Sequence, residues 1–235
     1  MKSLVIIPAR SGSKGIPGKN IKLLSGKPLI EYTLDVAKEL FSARDICVTT
    51  DSLDIALLAE KNGLPVPFIR PKDLSADTSS MYDVMLHALN FYRNRGEEYD
   101  RIILLQPTSP FRTKQNLQQA INLYTPETEM VVSVKETPAN PYYVLYEEDS
   151  NGYLHKSKEG NFSSRQECPR VWQFNGAIYI INVSCLMKRS HLHFSKIRKY
   201  VMDEMNSLDI DSPLDWAFAE FCLSNNLITN LDSKL

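Results

Sequence analysis

A loop near the amino terminus combines three glycines with three cationic side chains. It covers residues 8–20, PARSGSKGIPGKN, and carries Arg10, Lys14 and Lys19 directly after an apolar run. Glycine lets backbone N–H groups approach a phosphate closely, and three cations at the end of a strand have no use in building a core. The loop therefore predicts a binding site for a phosphorylated ligand; the alternative is a flexible basic loop on the surface.

Two common phosphate-binding motifs do not fit this loop. The P-loop of nucleoside triphosphatases needs G-x-x-x-x-G-K-[ST], but Ser13 replaces its first glycine and Asn20 replaces its magnesium-binding hydroxyl. A dinucleotide-binding fingerprint needs G-x-G-x-x-G at the start of a helix, whereas Pro17 interrupts the glycines here. Both a P-loop enzyme and a nicotinamide-dependent oxidoreductase are therefore disfavoured.

Two carboxylates lie two residues apart near the carboxyl end, in the segment SLDIDSP at residues 207–213. In an extended segment Asp209 and Asp211 point to one side, while the apolar residues beside them point to the other. Mg²⁺ prefers oxygen ligands and is often held by one or two carboxylates together with phosphate oxygens. The pair predicts a magnesium site, or else a helix N-terminus capped by Asp211 or Ser212 before Pro213; the two are compatible.

Other polar residues follow or interrupt the predicted strands. Gln106 opens the loop QPTSPFR, Asn175 precedes the run GAIYII, and Arg165 and Gln166 lie in an irregular stretch between them. Amide side chains both donate and accept hydrogen bonds, and arginine suits a carboxylate. Each of these side chains could contact a polar substrate. The alternative for Asn175, Arg165 and Gln166 is a solvated side chain, and the alternative for QPTSPFR is a rigid turn that leaves Arg112 in solvent.

Alternating strands and helices must position these residues. Apolar β-rich runs alternate with helical patterns, which is typical of β-α-β units around a mainly parallel sheet. The predicted strands cover residues 3–8, 45–50, 66–68, 101–106, 130–134, 176–181 and 199–202, and the predicted helices cover 28–41, 53–62, 78–95, 114–124, 184–188 and 214–223. Because loops after parallel strands meet at one edge of the sheet, the glycine loop and QPTSPFR should face the same ligand.

This alternation is interrupted at residues 136–172, which we call the excursion. Pro, Tyr, Asn and Gly are frequent there, with hairpin-like pieces at 142–146 and 153–155, but no linker separates it from the rest. We therefore expect one domain over residues 1–235. Five aromatic residues in or next to the excursion could form an apolar contact with a partner subunit; they are Tyr142, Tyr143, Tyr146, Trp172 and Phe174.

Composition limits the class of protein. The 235 residues are 43% hydrophobic and 23% charged, as in ordinary globular proteins. The 27 Lys+Arg and 28 Asp+Glu nearly balance, so there is no basic field for a nucleic acid. The first apolar run is too short for a signal peptide or a membrane span, and the four cysteines lack metal-site spacing. A cytoplasmic protein with reduced thiols, away from membranes, is expected.

Six segments together resemble the N-acylneuraminate cytidylyltransferases, which make CMP-activated nonulosonic sugars. In chain order these segments are IIPARSGSKGIPGKN, RPKDLSADTSS, LLQPTSPFR, SRQECPR, NGAIYI and SLDIDSPLD. The resemblance spans nearly the whole chain. It implies an α/β fold of the Rossmann-like, three-layer nucleotidyltransferase type with a mainly parallel sheet, and a homodimer in which the excursion helps to close the partner's active site.

The resemblance also implies roles for individual residues. The CTP phosphates would contact Arg10, Gly12, Ser13 and Lys19, and the cytidine would contact Asn20, Arg70 and Ser79. The sugar would contact Gln106, Arg165, Gln166, Asn175 and Tyr179. Mg²⁺ would bind to Asp209 and Asp211. The residues implied to be catalytic are Lys19, Arg10 and Asp211.

The implied reaction is attack of the anomeric hydroxyl of a nine-carbon 2-keto sugar acid on the α-phosphorus of CTP, with release of pyrophosphate. We expect the glycine loop and the acidic pair to meet on one triphosphate. Tyr142 and Tyr143 stand where sialate-specific relatives tend to carry a basic residue, so legionaminate, pseudaminate or another nonulosonate is an alternative acceptor. A catalytically silent nucleotide-binding module is the alternative from a different class, although neither Lys19 nor the aspartate pair is lost.

Overall fold

A six-stranded sheet forms the centre of the structure, a computed structural model that describes residues 1–76, 79–189 and 193–228. Across the sheet the strands are β10 (Ile197–Val201), β6 (Met130–Glu136), β9 (Trp172–Asn182), β5 (Arg101–Leu105), β1 (Ser3–Pro8) and β4 (Ile46–Thr49). Neighbours are parallel except at β9, which is antiparallel to both β5 and β6. The expected mainly parallel α/β fold is confirmed.

Helices cover both faces of this sheet. They are α1 (Leu29–Leu40), α2 (Leu53–Lys61), α3 (Met81–Arg93), α4 (Lys114–Asn122), α5 (Val183–Met187) and α6 (Pro213–Ser224). In β1, Val5 and Ile7 pack in the core on the side of α1, α2 and α4, while Leu4 and Ile6 pack on the side of α3 and α5. The strand is apolar throughout because both of its faces are buried. No helix in the described ranges is long and apolar enough to cross a membrane.

A third hydrophobic cluster attaches the carboxyl-terminal segment to the glycine loop. Ile16 of the loop and Ile210, which stands between the two aspartates, are buried in this cluster with Trp216 of α6. The N–H of Ile210 also donates to the carbonyl of Thr108, over 2.8 Å. Burying an isoleucine side chain contributes about 2 kcal/mol. Apolar packing therefore brings the loop and the acidic pair to the same edge of the sheet.

Two small antiparallel ribbons lie outside the main sheet. One pairs β2 (Leu23–Leu24) with β3 (Lys27–Pro28), and the other pairs β7 (Tyr146–Glu148) with β8 (Leu154–Lys156) inside the excursion. The predicted hairpin-like pieces are confirmed by this second ribbon, but the first strand begins only at Tyr146. Residues 142–144 form a turn instead, because the carbonyl of Asn140 accepts from the N–H groups of Tyr143 and Val144.

The prediction of a strand at residues 66–68 is also wrong. Only one isolated bridge, between Thr50 and Ile69, forms near this stretch. Pro65 and Pro67 surround Val66, and proline lacks the N–H that a sheet ladder requires. The other predicted strands and helices are confirmed, with bounds shifted by a few residues, and β9 is longer than expected. The helix predicted over 78–95 begins at Met81 as α3, and residues 77–78 lie outside the described ranges.

Candidate active site

The glycine loop and the acidic pair meet as expected. Nζ of Lys19 donates to Oδ1 of Asp211 over 3.0 Å and to the carbonyl oxygen of Ile210 over 2.6 Å. The Lys19 side chain is only 10% exposed, whereas that of Asp211 is 73% exposed. A cation and a carboxylate from opposite ends of the chain therefore share one site, in which the lysine is held by the protein and the carboxylate is open to a ligand.

Gly15 lets the loop come this close. A Cβ atom at Gly15 would lie 2.1 Å from the backbone carbonyl oxygen of Asp211, which is far inside van der Waals contact. The two ends of the loop are joined by Asn20, whose Nδ2 donates to the carbonyl of Arg10 over 2.9 Å. The loop is thus fixed at its entry and against the acidic segment, which leaves its cations at a defined place.

A cavity of about 390 Å³, the first cavity, opens over this loop. Four cationic side chains line it, and these are Arg10, Lys14, Lys19 and Arg70. Ser13, Asn20, Gln106 and Asp211 complete the predicted residues in its wall. A concave site with this charge, rimmed by backbone of a glycine loop, suits a ligand with several phosphate groups.

A second cavity, of about 640 Å³, also has Asp211 in its wall. Its wall includes Asn175, Asp209 and Asp211 together with apolar side chains such as Phe174 and Phe218. Asp211 belongs to both walls. The arrangement can therefore hold two ligands side by side, with a carboxylate at their boundary.

A bulge in β9 places polar groups next to Asp209. Gly176 has φ +78°, and a Cβ there would lie 3.3 Å from Oδ2 of Asp209 and 3.4 Å from Oε1 of Gln106. Burial raises the pKa of Asp209, and the negative charge of Asp211 adds to that effect against the opposing influence of Thr108 and Lys19. Oδ1 of Asp209 has no hydrogen-bond partner among the described residues.

These two aspartates fit the predicted magnesium ion. Asp209 offers a buried oxygen that no described residue hydrogen-bonds, and Asp211 offers an open carboxylate. Within the described ranges, no three His, Cys, Asp or Glu side chains cluster as a metal site. Since Mg²⁺ is commonly held by one or two carboxylates plus substrate phosphates, a two-carboxylate site beside a phosphate-binding cavity has the chemistry that it requires.

Asn175 and Tyr179 lie close to Asp209, but Asn175 is occupied inside the protein. Its Nδ2 donates to Oγ of Ser207 over 2.9 Å, and its Oδ1 accepts from Oγ of Ser133 over 2.5 Å. Burial, and then the charge of Asp209, raises the pKa of Tyr179. Their contact with a sugar stays a prediction; what the structure adds is that Asn175 fixes the β9 bulge.

Arg165 and Gln166 lie elsewhere in a single chain. They belong to a short 3-10 turn, Arg165–Glu167, in the excursion. They line a cavity of about 740 Å³ between the excursion and residues 201–204, which neither Gln106 nor Asp211 lines. Neither residue lines the second cavity, although Lys135, Asp203 and Glu204 line both cavities. The contact of Arg165 and Gln166 with a sugar stays a prediction.

The remaining predicted residues lie around the first cavity. Arg70 is almost fully buried; burial lowers its pKa, and so does the nearby charge of Arg10. Oγ of Ser79 donates to the carbonyl of Asp73 over 2.7 Å, and Ser79 is absent from the cavity wall. Gly12 is at an open part of the loop, where an added Cβ would meet nothing within 4 Å.

Arg112 corrects one sequence-based alternative. It is not in solvent: the side chain is 1% exposed, and its guanidinium donates to the carbonyl of Ala177 over 2.7 Å and to Oγ1 of Thr33 over 2.7 Å. Burial lowers its pKa to about 9. Arg112 therefore joins the loop after β5 to α1 and β9, which holds Gln106 at the site.

Sequence reasoning missed Asp215, which supports the acidic segment. Ser212 caps α6, and Oδ2 of Asp215 accepts from the N–H of Ser212 over 2.7 Å and from that of Asp211 over 3.1 Å. The spacing Ser-x-x-Asp before an apolar run is a variant of the capping box and could have revealed it. Ser212 therefore caps helix α6 while the carboxylate of Asp211 stays open to a ligand, as the sequence analysis allowed.

Comparison with known proteins agrees with this geometry. The chain matches the model of the family described as "Cytidylyltransferase" over residues 4–227. It is 34% identical to the CMP-N,N'-diacetyllegionaminic acid synthase of Legionella pneumophila, covering 96% of this chain and 98% of that protein. It is 35% identical to the N-acylneuraminate cytidylyltransferase of Escherichia coli, covering 93% of this chain but only 51% of that protein.

A solved structure shares the fold. CMP:2-keto-3-deoxy-manno-octonic acid synthetase complexed with CTP superposes with a TM-score of 0.70 at 18% identity, covering 96% of this chain and 100% of that chain. The fold and the cationic first cavity agree with the sequence match to this family. The chain belongs to the cytidylyltransferase family.

Proposed function

We propose that this protein transfers CMP from CTP to the anomeric hydroxyl of a nine-carbon 2-keto sugar acid and releases pyrophosphate. The observation that carries the proposal is the 3.0 Å contact between Lys19 and Asp211 at the boundary of two cavities. CTP would occupy the cationic first cavity, and the acceptor would occupy the second. The names of the relatives support this choice of substrates.

The chain's own contribution is alignment and charge stabilisation. Phosphoryl transfer requires little covalent chemistry from a protein, so positioning and electrostatics account for most of the catalysis. Lys19 and Arg10 would neutralise charge that gathers on the phosphate oxygens as pyrophosphate leaves. Lys19 is held by the carbonyl of Ile210 and by Asp211, so its ammonium is already in place before the substrates react.

The acidic pair would serve the attacking group. Asp211 lines both cavities, and we propose that its carboxylate accepts the proton of the anomeric hydroxyl. Asp209 and Asp211 would also hold Mg²⁺, which when bound screens phosphate charge and makes a nearby hydroxyl more acidic.

A homodimer in the cytoplasm is part of the proposal. The excursion exposes several apolar side chains, among them Tyr146, Tyr153 and Leu154, which are 47%, 69% and 65% exposed. Such a surface is unfavourable in water, and a second copy would cover it. The dimer would carry Arg165 and Gln166 toward the partner's second cavity. The cytoplasmic location is proposed because the sequence predicts neither a signal peptide nor a membrane span.

A pyrophosphate-release assay tests the function. Purified protein is supplied with CTP, Mg²⁺ and, separately, N-acetylneuraminate, legionaminate, pseudaminate or ketodeoxyoctonate. We expect release with at least one nine-carbon acid, and a loss of several orders of magnitude in Lys19→Ala and Asp211→Ala. Lys61→Ala, an exposed lysine on α2, is the matched control. Binding of CTP without release for any acceptor would favour the silent nucleotide-binding module.

A further inference from the structure

Asp51 connects two parts of the first cavity without lining it. It follows β4 at the carboxyl edge of the sheet, and its side chain is 17% exposed. The wall of the first cavity includes Arg10, Ser13 and Arg70 but not Asp51. Any influence of this carboxylate on a ligand must therefore pass through its neighbours.

The first neighbour is the glycine loop. Both carboxylate oxygens of Asp51 accept hydrogen bonds from Ser11: Oδ1 from the backbone N–H over 2.8 Å and Oδ2 from Oγ–H over 2.6 Å. Ser11 stands between Arg10 and Gly12 in the sequence. Charge-assisted hydrogen bonds of this kind are the stronger ones in proteins. Asp51 therefore fixes the backbone of the loop at the point where its cations begin.

The second neighbour is Arg70. Its Nη2 lies 3.9 Å from Oδ1 of Asp51, and its Nε donates to Oγ of Ser75 over 3.1 Å. The Arg70 side chain is only 3% exposed. The positive charge of Arg10 lowers the pKa of Arg70, whereas the negative charge of Asp51 raises it and so favours the charged guanidinium. One carboxylate thus compensates for placing two arginines at the same cavity.

Asp51 carries its charge at neutral pH. Burial raises the pKa of its carboxyl, but the hydrogen bonds from Ser11 and the charge of Arg70 outweigh burial, so the pKa is lowered overall. Its ionised form is the one that accepts two donors from Ser11 and faces Arg70.

We propose that Asp51 is a positioning residue for CTP: it holds the glycine loop and Arg70 in the mutual arrangement that the nucleotide requires. This inference rests on the proposed function. It predicts that loss of Asp51 weakens CTP binding specifically, because the loop and Arg70 must then be ordered by the nucleotide at the expense of its affinity.

Calorimetric titration with CTP, alongside steady-state kinetics, tests the proposal. Asp51→Ala removes both hydrogen bonds and the charge, and should raise the dissociation constant for CTP roughly 10- to 100-fold. The KM for the sugar acid should change less than about threefold, since Asp51 is not among the described residues that line the second cavity. Asp51→Asn, which keeps an acceptor for Ser11 but loses the charge, should give an intermediate loss.

Two further variants separate positioning from folding. Asp54→Asn changes an exposed aspartate on α2, three residues from Asp51, and should leave CTP binding unchanged. Ser11→Ala removes one of the two hydrogen bonds to Asp51 and should weaken CTP binding less than Asp51→Ala does. The double variant Ser11→Ala/Asp51→Ala should bind CTP no more weakly than Asp51→Ala alone. If Asp51→Ala does not fold, Ser11→Ala and Asp51→Asn carry the test.

The possible failures are distinguishable. If the unsubstituted protein does not bind CTP, the proposed function fails. If it binds CTP and all Asp51 and Ser11 variants bind it equally well, this inference alone is overturned. A fall in melting temperature with equal losses in CTP affinity, sugar-acid KM and kcat would overturn it too, since it would show a general structural role.

Discussion

Gly15→Ala should separate the glycine loop from the acidic segment by a measurable distance. The added Cβ would lie 2.1 Å from the carbonyl oxygen of Asp211, and side-chain carbons essentially never come closer than 3.0 Å to such an atom. The two backbones must therefore move apart by about 0.9 Å. A misplacement of about 1 Å costs on the order of 100-fold in rate, and overpacking destabilises by about 1–3 kcal/mol.

The measurement pairs kcat/KM for pyrophosphate release with urea unfolding. Gly15→Ala should lose roughly 100-fold in kcat/KM and about 1–3 kcal/mol in the free energy of unfolding. Gly12→Ala is the control for stability alone, because nothing lies within 4 Å of its added Cβ, and its free energy of unfolding should stay within about 0.5 kcal/mol. Unchanged rate and stability in Gly15→Ala would refute the close approach.

Three other predictions concern the supports of the site. Arg112→Ala should lower the free energy of unfolding by about 3 kcal/mol, because buried acceptors such as the carbonyl of Ala177 lose their donor; urea unfolding that differs by less than 1 kcal/mol would contradict this. Asp215→Ala should cost about 1 kcal/mol and reduce kcat/KM a few-fold, since the cap that holds the N–H of Asp211 is lost; an effect on neither quantity would argue against the cap. The pKa of Asp51 is lower in the folded protein than the unfolded-state value of 3.8, so ionised Asp51 stabilises the fold at pH values above 3.8. The unsubstituted protein should therefore be more stable than Asp51→Asn at neutral pH, and this difference should shrink as the pH falls below 3.8. A difference in the free energy of unfolding that does not depend on pH would contradict this prediction.

The centre of the fold was predictable because strands β1, β4 and β5 are buried on both faces. Such strands appear in sequence as short apolar runs, and the runs that became β1 and β5 needed no tertiary information. The stretch at 66–68 has the same local appearance, but its prolines cannot join a ladder. Local pattern therefore identifies elements, whereas pairing partners decide which apolar runs become strands.

The meeting of Lys19 with Asp211 was expected from the family resemblance, but the means by which it is achieved was not predicted. Loops that follow parallel strands gather at one edge, which brings the glycine loop there. The bulge at Gly176 and the buried hydrogen bonds of Asn175 depend on how β9 pairs with β6, and no local residue pattern encodes that register. Arg112 is a similar case, because arginine is rarely buried without a carboxylate partner.

The most direct test is a crystal structure of the protein with CTP and Mg²⁺ in the absence of an acceptor. We expect the triphosphate in the first cavity, with phosphate oxygens within hydrogen-bond distance of Nζ of Lys19 and the metal on Asp209 and Asp211. A triphosphate bound at another surface, with Lys19 still paired only to Asp211 and Ile210, would contradict it.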